Sequence, residues 1–151
     1  MKLSRLCAVL LLVVGLASCR VSVSPSEPGP DLSPPEVSSF TINGSTGDER
    51  NRNIVVLFPS DGNTTASLVA TVRDRRNQVA LVRIDVFFGD ETTPLKKLDT
   101  TNNGDRYLAV WDFSGESSSD LYRFSIYTVD TVGNSALITP EISAAILPGS
   151  N

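Results

Sequence analysis

From Val37 to Leu147 the chain alternates between apolar and polar residues. In "VRIDVFF" the residues Val82, Ile84, Val86 and Phe88 fall on one side of an extended backbone, and Arg83, Asp85 and Phe87 on the other. The same period puts Tyr122, Phe124 and Ile126 inward with Arg123, Ser125 and Tyr127 outward. Leu68, Ala70 and Val72 make a third inward row, and Tyr107, Ala109 and Trp111 a fourth. No segment shows the helical period, and clusters of Gly, Asn, Asp, Pro and Ser cut the pattern into short pieces. This spacing predicts an all-β fold, an antiparallel β-sandwich of seven to eight strands. The strands are expected near Val37–Ile42, Asn53–Phe58, Ala66–Arg73, Val79–Phe88, Leu95–Asp99, Arg106–Asp112, Leu121–Asp130 and Ala136–Leu147, the last broken at Pro140. Residues 37–148 then hold one core and no second domain.

The stretches "YLAVWDFSG" and "DLYRFSIYTVDTVGNSA" resemble the ending of bacterial immunoglobulin-like and fibronectin-type-III-like modules, and "VRDRRNQVALVRIDV" resembles their preceding pair of strands. The resemblance covers roughly Val37 to Leu147 and implies an immunoglobulin-like sandwich. In that topology the loops holding Asp74 and Asp130 lie at one end. One departure is visible: Asp120 and Leu121 stand where the family usually has Gly before the Tyr of the penultimate strand.

The other end of the chain is built differently. The apolar run from Leu6 to Ala17 is about a dozen residues, whereas a spanning helix needs roughly 18 to 20. Lys2 and Arg5 precede it and small residues follow, the layout of a secretory signal. Leu16, Ala17, Ser18 and Cys19 resemble a bacterial lipobox. The resemblance implies a bacterial lipoprotein whose signal peptide, residues 1–18, is removed and whose Cys19 sulfur carries diacylglycerol. Cys7 leaves with the signal, so Cys19 is then the only thiol, and acylation protects it from oxidation. Two or three acyl chains anchor stably where one would exchange. Arg20 follows the cysteine, not the Asp that enterobacterial sorting reads as inner-membrane retention; by resemblance the protein is expected at an outer membrane where the host has one.

Losing Lys2 and Arg5 lowers the thirteen basic residues to eleven against seventeen acidic ones, a formal charge of −6. Such a chain is repelled by nucleic acid and by anionic lipid, which leaves the lipid on Cys19 as the expected membrane contact. Residues 19–36, rich in Pro and Ser, read as a disordered tether that reaches roughly 50 Å in polyproline conformation. Residues 149–151 are a short tail.

The function classes narrow by chemistry. The chain has no histidine, and its one mature cysteine is committed to lipid, so Ser-His and Cys-His pairs and the usual zinc sites are excluded. "NGSTG" and "PSDGN" are hairpin-type turns without the ending of a phosphate loop. The segment from Asp130 through Gly133 and Asn134 superficially resembles a calcium loop, but supplies one carboxylate where about six oxygens are needed. Asp74, Asp130, Gly133 and Asn134 are therefore expected to be turn residues, with a weak cation site at Asp74 and Asp130 left open. No catalytic residue, cofactor or metal is expected. The expected role is a structural or assembly accessory of the cell envelope acting through a protein partner. The alternative is a surface binding or adhesion module recognising a protein or, less strongly, a carbohydrate. The expected contact residues are Phe87, Tyr127, Arg83 and Arg123 on one outward face, with Phe87 beside Tyr127, or the loop end at Asp74 and Asp130.

Overall fold

The computed structural model describes residues 29–47, 53–59 and 63–148. The lipobox positions Leu16, Ala17, Ser18 and Cys19, most of the tether and the tail lie outside them. Every regular element among the described residues is a strand. They are β1 (Glu36–Ile42), β2 (Ile54–Leu57), β3 (Thr65–Arg73), β4 (Val79–Phe88), β5 (Lys96–Asp99), β6 (Thr101–Asn103), β7 (Arg106–Asp112), β8 (Leu121–Asp130), β9 (Ser135–Ile138) and β10 (Ser143–Ile146).

The strands form two sheets, one in the order β1-β3-β7-β6 and the other β2-β10-β8-β4-β5, with β9 also paired to β8. All pairs are antiparallel except β2 with β10, which run parallel. The first order is that of strands A, B, E and D of an immunoglobulin sandwich, and β4, β8 and β9–β10 take the places of C, F and G. A second mark of that fold is present: the Tyr122 hydroxyl donates a 2.8 Å bond to the Ser117 carbonyl five residues upstream, as in a tyrosine corner.

Alternation dictates the core. Leu68, Ala70, Ile84, Val86, Trp111, Tyr122, Phe124 and Ile126 are all completely enclosed between the sheets. The Trp111 ring lies 4.9 Å from Tyr122, 5.6 Å from Phe113 and 5.8 Å from Phe124, so one aromatic plug joins both layers. At the first hairpin Asn43 and Gly44 adopt φ of 50° and 77°, the double left-handed geometry of a two-residue turn, and Ile42 and Ser45 exchange backbone bonds across it.

Two features differ from the expectation, and the expected break in the last strand is found. A short strand, β6, precedes β7 and brings the elements to ten. As expected, the final strand is interrupted around Pro140, between Ile138 and Ser143, because Pro140 has no N–H to donate to the ladder. The sandwich also starts earlier than Val37: β1 opens at Glu36, and Pro35 is fully buried with its carbonyl accepting a 3.4 Å bond from the Thr128 hydroxyl. The proline-rich segment is therefore packed, not free, at its C-terminal end.

Candidate functional site

Two regions gather the polar side chains that the sequence singles out. The first is the pole formed by the β3–β4 loop and the β8–β9 turn. Asp74 Oδ1 accepts the backbone N–H groups of Arg76 (2.8 Å) and Asn77 (2.7 Å), which shapes the loop as an Asx turn. Asp130 does the same in its own turn, where Oδ1 accepts Val132 N–H at 2.9 Å and Asn134 N–H at 2.8 Å. Gly133, at φ 95°, supplies the left-handed residue that closes it. Asp74 thus lies in the β3–β4 loop, and Asp130, Gly133 and Asn134 in the β8–β9 turn.

Asp74 and Asp130 do meet, but through an amide. Asn77 gives its backbone N–H to Asp74 and its side-chain Nδ2 to Asp130 Oδ2 at 3.1 Å. Asn134 Nδ2 donates to the same Asp130 oxygen at 2.8 Å and to the Asp31 carbonyl at 2.9 Å. Among the described residues no group of three or more potential metal-ligating side chains is present. Burial pushes the Asp130 carboxyl up, but the bonds from Asn134, Val132 and Asn77 outweigh it and hold the group below its ordinary range.

These bonds seat the N-terminal segment. Asp31 is held by Asn134 and, at 3.3 Å, by Asn77, while Arg76 donates to the Gly29 carbonyl at 3.3 Å. A cleft of about 490 Å³ lies between Pro30–Pro34 and Arg73–Arg76. The described chain thus enters the sandwich at this pole. Sequence reasoning missed Asn77 and Asp31; the Asp-x-x-Asn spacing at Asp74 was the available signal for the first.

The second region is the outward face of the β4–β8 pair. The register sets Tyr127 opposite Arg83, Ser125 opposite Asp85, and Arg123 opposite Phe87. Phe87 and Tyr127 are consequently not neighbours, which corrects the expectation: the Asp85–Ser125 row separates them, and each aromatic faces an arginine instead. The Arg83 guanidinium grips Asp85 through two bonds, 2.8 and 2.9 Å, and lies 5.1 Å from the centre of the Tyr127 ring. Arg123 is spent on backbone carbonyls, those of Gly89 (2.6 Å) and Glu91 (3.1 Å).

Large side chains in these rows cover the small ones between them. Asp85 and Ser125 are each only 4% exposed although they point away from the core. Ser125 lines a depression of about 300 Å³ together with Phe87, Arg123, Leu137 and Thr139, and its Oγ is buried with no partner among the described residues. Leu137, 65% exposed, forms its most open wall.

No protein-family model matches the chain, and no curated protein sequence does. Among solved structures, the chain is similar to an engineered protein at 13% identity and a TM-score of 0.46, covering 74% of this chain and 20% of that one. It is also similar to a mutant of the SrpA adhesin from Streptococcus sanguinis at 13% identity and a TM-score of 0.43, covering 79% of this chain and 58% of that one. The chain therefore spans less than two thirds of either neighbour. The fold assignment rests on its own strand order and tyrosine corner.

Proposed function

We propose that the chain is a bacterial envelope lipoprotein, anchored through lipid on Cys19 and acting without catalysis through contact with a protein partner. The observation that carries this reading is the seating of the N-terminal segment on the Asp74 and Asp130 loops. A tether leaving from that pole directs the pole toward the anchor. The outward face of β4 and β8 stays clear, with arginine and aromatic side chains of the kinds enriched at protein interfaces. The lipobox-like residues Leu16 to Cys19 support the anchor, and Arg20 supports an outer membrane over an inner one.

The test is the intact mass of protein purified from membranes, beside a Cys19→Ser variant. A mass equal to residues 19–151 plus acyl chains, lost together with membrane association in the variant, supports the reading. An unacylated, soluble wild type overturns it. Crosslinking from the outward face in the envelope would then identify the partner, and replacing Phe87 and Tyr127 by Ser should abolish its capture.

A second reading, a surface module binding a ligand directly, is favoured by the depression over Ser125. A depression lined by an aromatic ring, an arginine and an exposed leucine suits a side chain or a sugar ring with its own polar group.

A further inference from the structure

We propose that the outward face of the β1-β3-β7-β6 sheet is a self-complementary interface for a second copy of the chain, Arg106 of each copy meeting Asp112 of the other. The outward residues of β7 are Arg106, Leu108, Val110 and Asp112, a stripe with a cation at one end, a carboxylate at the other and two apolar side chains between. Val110 is 59% and Leu108 39% exposed.

Their cross-strand neighbours extend the same character. Val69 stands opposite Leu108, Ser67 opposite Val110, Thr41 opposite Val69 and Thr101 opposite Leu108. The middle of the face thus carries hydroxyls and aliphatic groups and no charge. At one end Arg73 is paired with Asp105 at 2.6 Å, and Arg106, on the outward face of β7, forms no ion pair among the described residues. At the other end Lys96 bonds Glu116 at 2.9 Å and the Asp112 backbone carbonyl at 2.7 Å, and the Asp112 carboxylate itself forms no ion pair among the described residues.

Symmetry turns this stripe into a match. A two-fold axis lying in the interface plane, perpendicular to β7 at the level of Ala109, lays Arg106 over Asp112 of the second copy and Leu108 over its Val110, with no like charges opposed. Any other partner would need its own complementary stripe; a second copy has one by construction. Four strands about 4.8 Å apart, with outward residues roughly 7 Å apart along them, give about 400 Å² per copy. That is about half of a standard interface, so the dimer is weak and reversible. The proposal does not depend on the lipid reading.

The test is sedimentation equilibrium of the full chain as purified, in detergent, over concentrations up to about 1 mM, the range for weak pairs. Expected is a monomer–dimer equilibrium weakened at least tenfold by Arg106→Asp and by Val110→Asp, and regained when Arg106→Asp is combined with Asp112→Arg. Asp112 also accepts bonds from Thr64 and Ser114, so thermal unfolding is followed for each variant. If the combined variant does not fold, the two single variants decide. A wild type that stays monomeric, a dimer indifferent to both single variants, or a folded combined variant that does not re-associate overturns the proposal.

Discussion

Asn77 and Asp130 are joined by a 3.1 Å hydrogen bond that crosses from the β3–β4 loop to the β8–β9 turn. It is one of several donors that hold the Asp130 carboxyl, 2% exposed, below its ordinary range against the opposing push of burial. A folded pKa below the unfolded value of about 3.9 makes a contribution that is complete above that value and is lost as pH falls through the folded one. The unfolding temperature should therefore be flat above about pH 5 on this account and drop below about pH 4. Asp130→Asn should lower it at neutral pH and flatten the acid limb. An acid limb of unchanged slope in that variant would mean that other carboxyls govern it.

Asn134 binds both Asp130 and the Asp31 carbonyl, so its removal should loosen the N-terminal segment before anything else. Asn134→Ala is expected to cost about 1–2 kcal/mol for two lost bonds. Limited proteolysis should cut between Gly29 and Glu36 faster in the variant, with the sandwich itself still resistant. Equal cleavage rates would show that the Asn77 and Arg76 bonds and the burial of Pro35 hold the segment without Asn134.

Removing Arg83 leaves Asp85 covered and without its two strongest bonds. Because the Arg83 side chain is 29% exposed, water can reach part of the vacated space and the penalty is moderate. Arg83→Ala should cost about 1–3 kcal/mol in denaturant unfolding. With Asp85→Ala added, the double variant should lose less than the two single losses together. Strict additivity would mean that the pair does not interact energetically.

Trp111 fills the core, yet its indole N–H has no partner among the described residues. Trp111→Phe gives up contacts with three rings but also relieves an unpaired donor, so the two effects oppose each other. The net loss should be about 1–2 kcal/mol, against about 3–5 kcal/mol for Trp111→Ala, which leaves the full cavity. Equal losses in the two variants would show that volume is not what matters at this position.

Inward faces were legible because burial between two layers enforces a period of two, as the rows through Ile84, Trp111 and Phe124 illustrate. Lateral neighbours were not. Which residue of β8 faces Phe87 is set by the register between two strands distant in sequence, and no single strand's pattern reveals it. The burial of Asp85 and Ser125 was hidden for the same reason, since bulky side chains on two strands jointly cover them. At the loop pole, turn chemistry at Asp74 and Asp130 is local and could be read directly. The hold on Asp31 comes from Asn134, 103 positions away, while the composition around Asp31 taken alone speaks only of a tether. Strand β6, three residues without apolar content, is below the reach of any pattern and exists because β7 offers it an edge.

The parallel pairing of β2 with β10 has a mechanical consequence. The N-terminal segment is fastened at one pole, whereas β10 runs toward the other, where it pairs with Leu121 and Tyr122 at the start of β8. Tension applied along the strands through the two ends would load the β2–β10 ladder, from Ile54–Ser143 to Leu57–Ile146, in shear. Bonds loaded in shear share the force and yield together, while bonds at the end of an opening hairpin break one at a time. A pull on the two ends of the described chain would therefore meet the sandwich where its ladder bonds resist together.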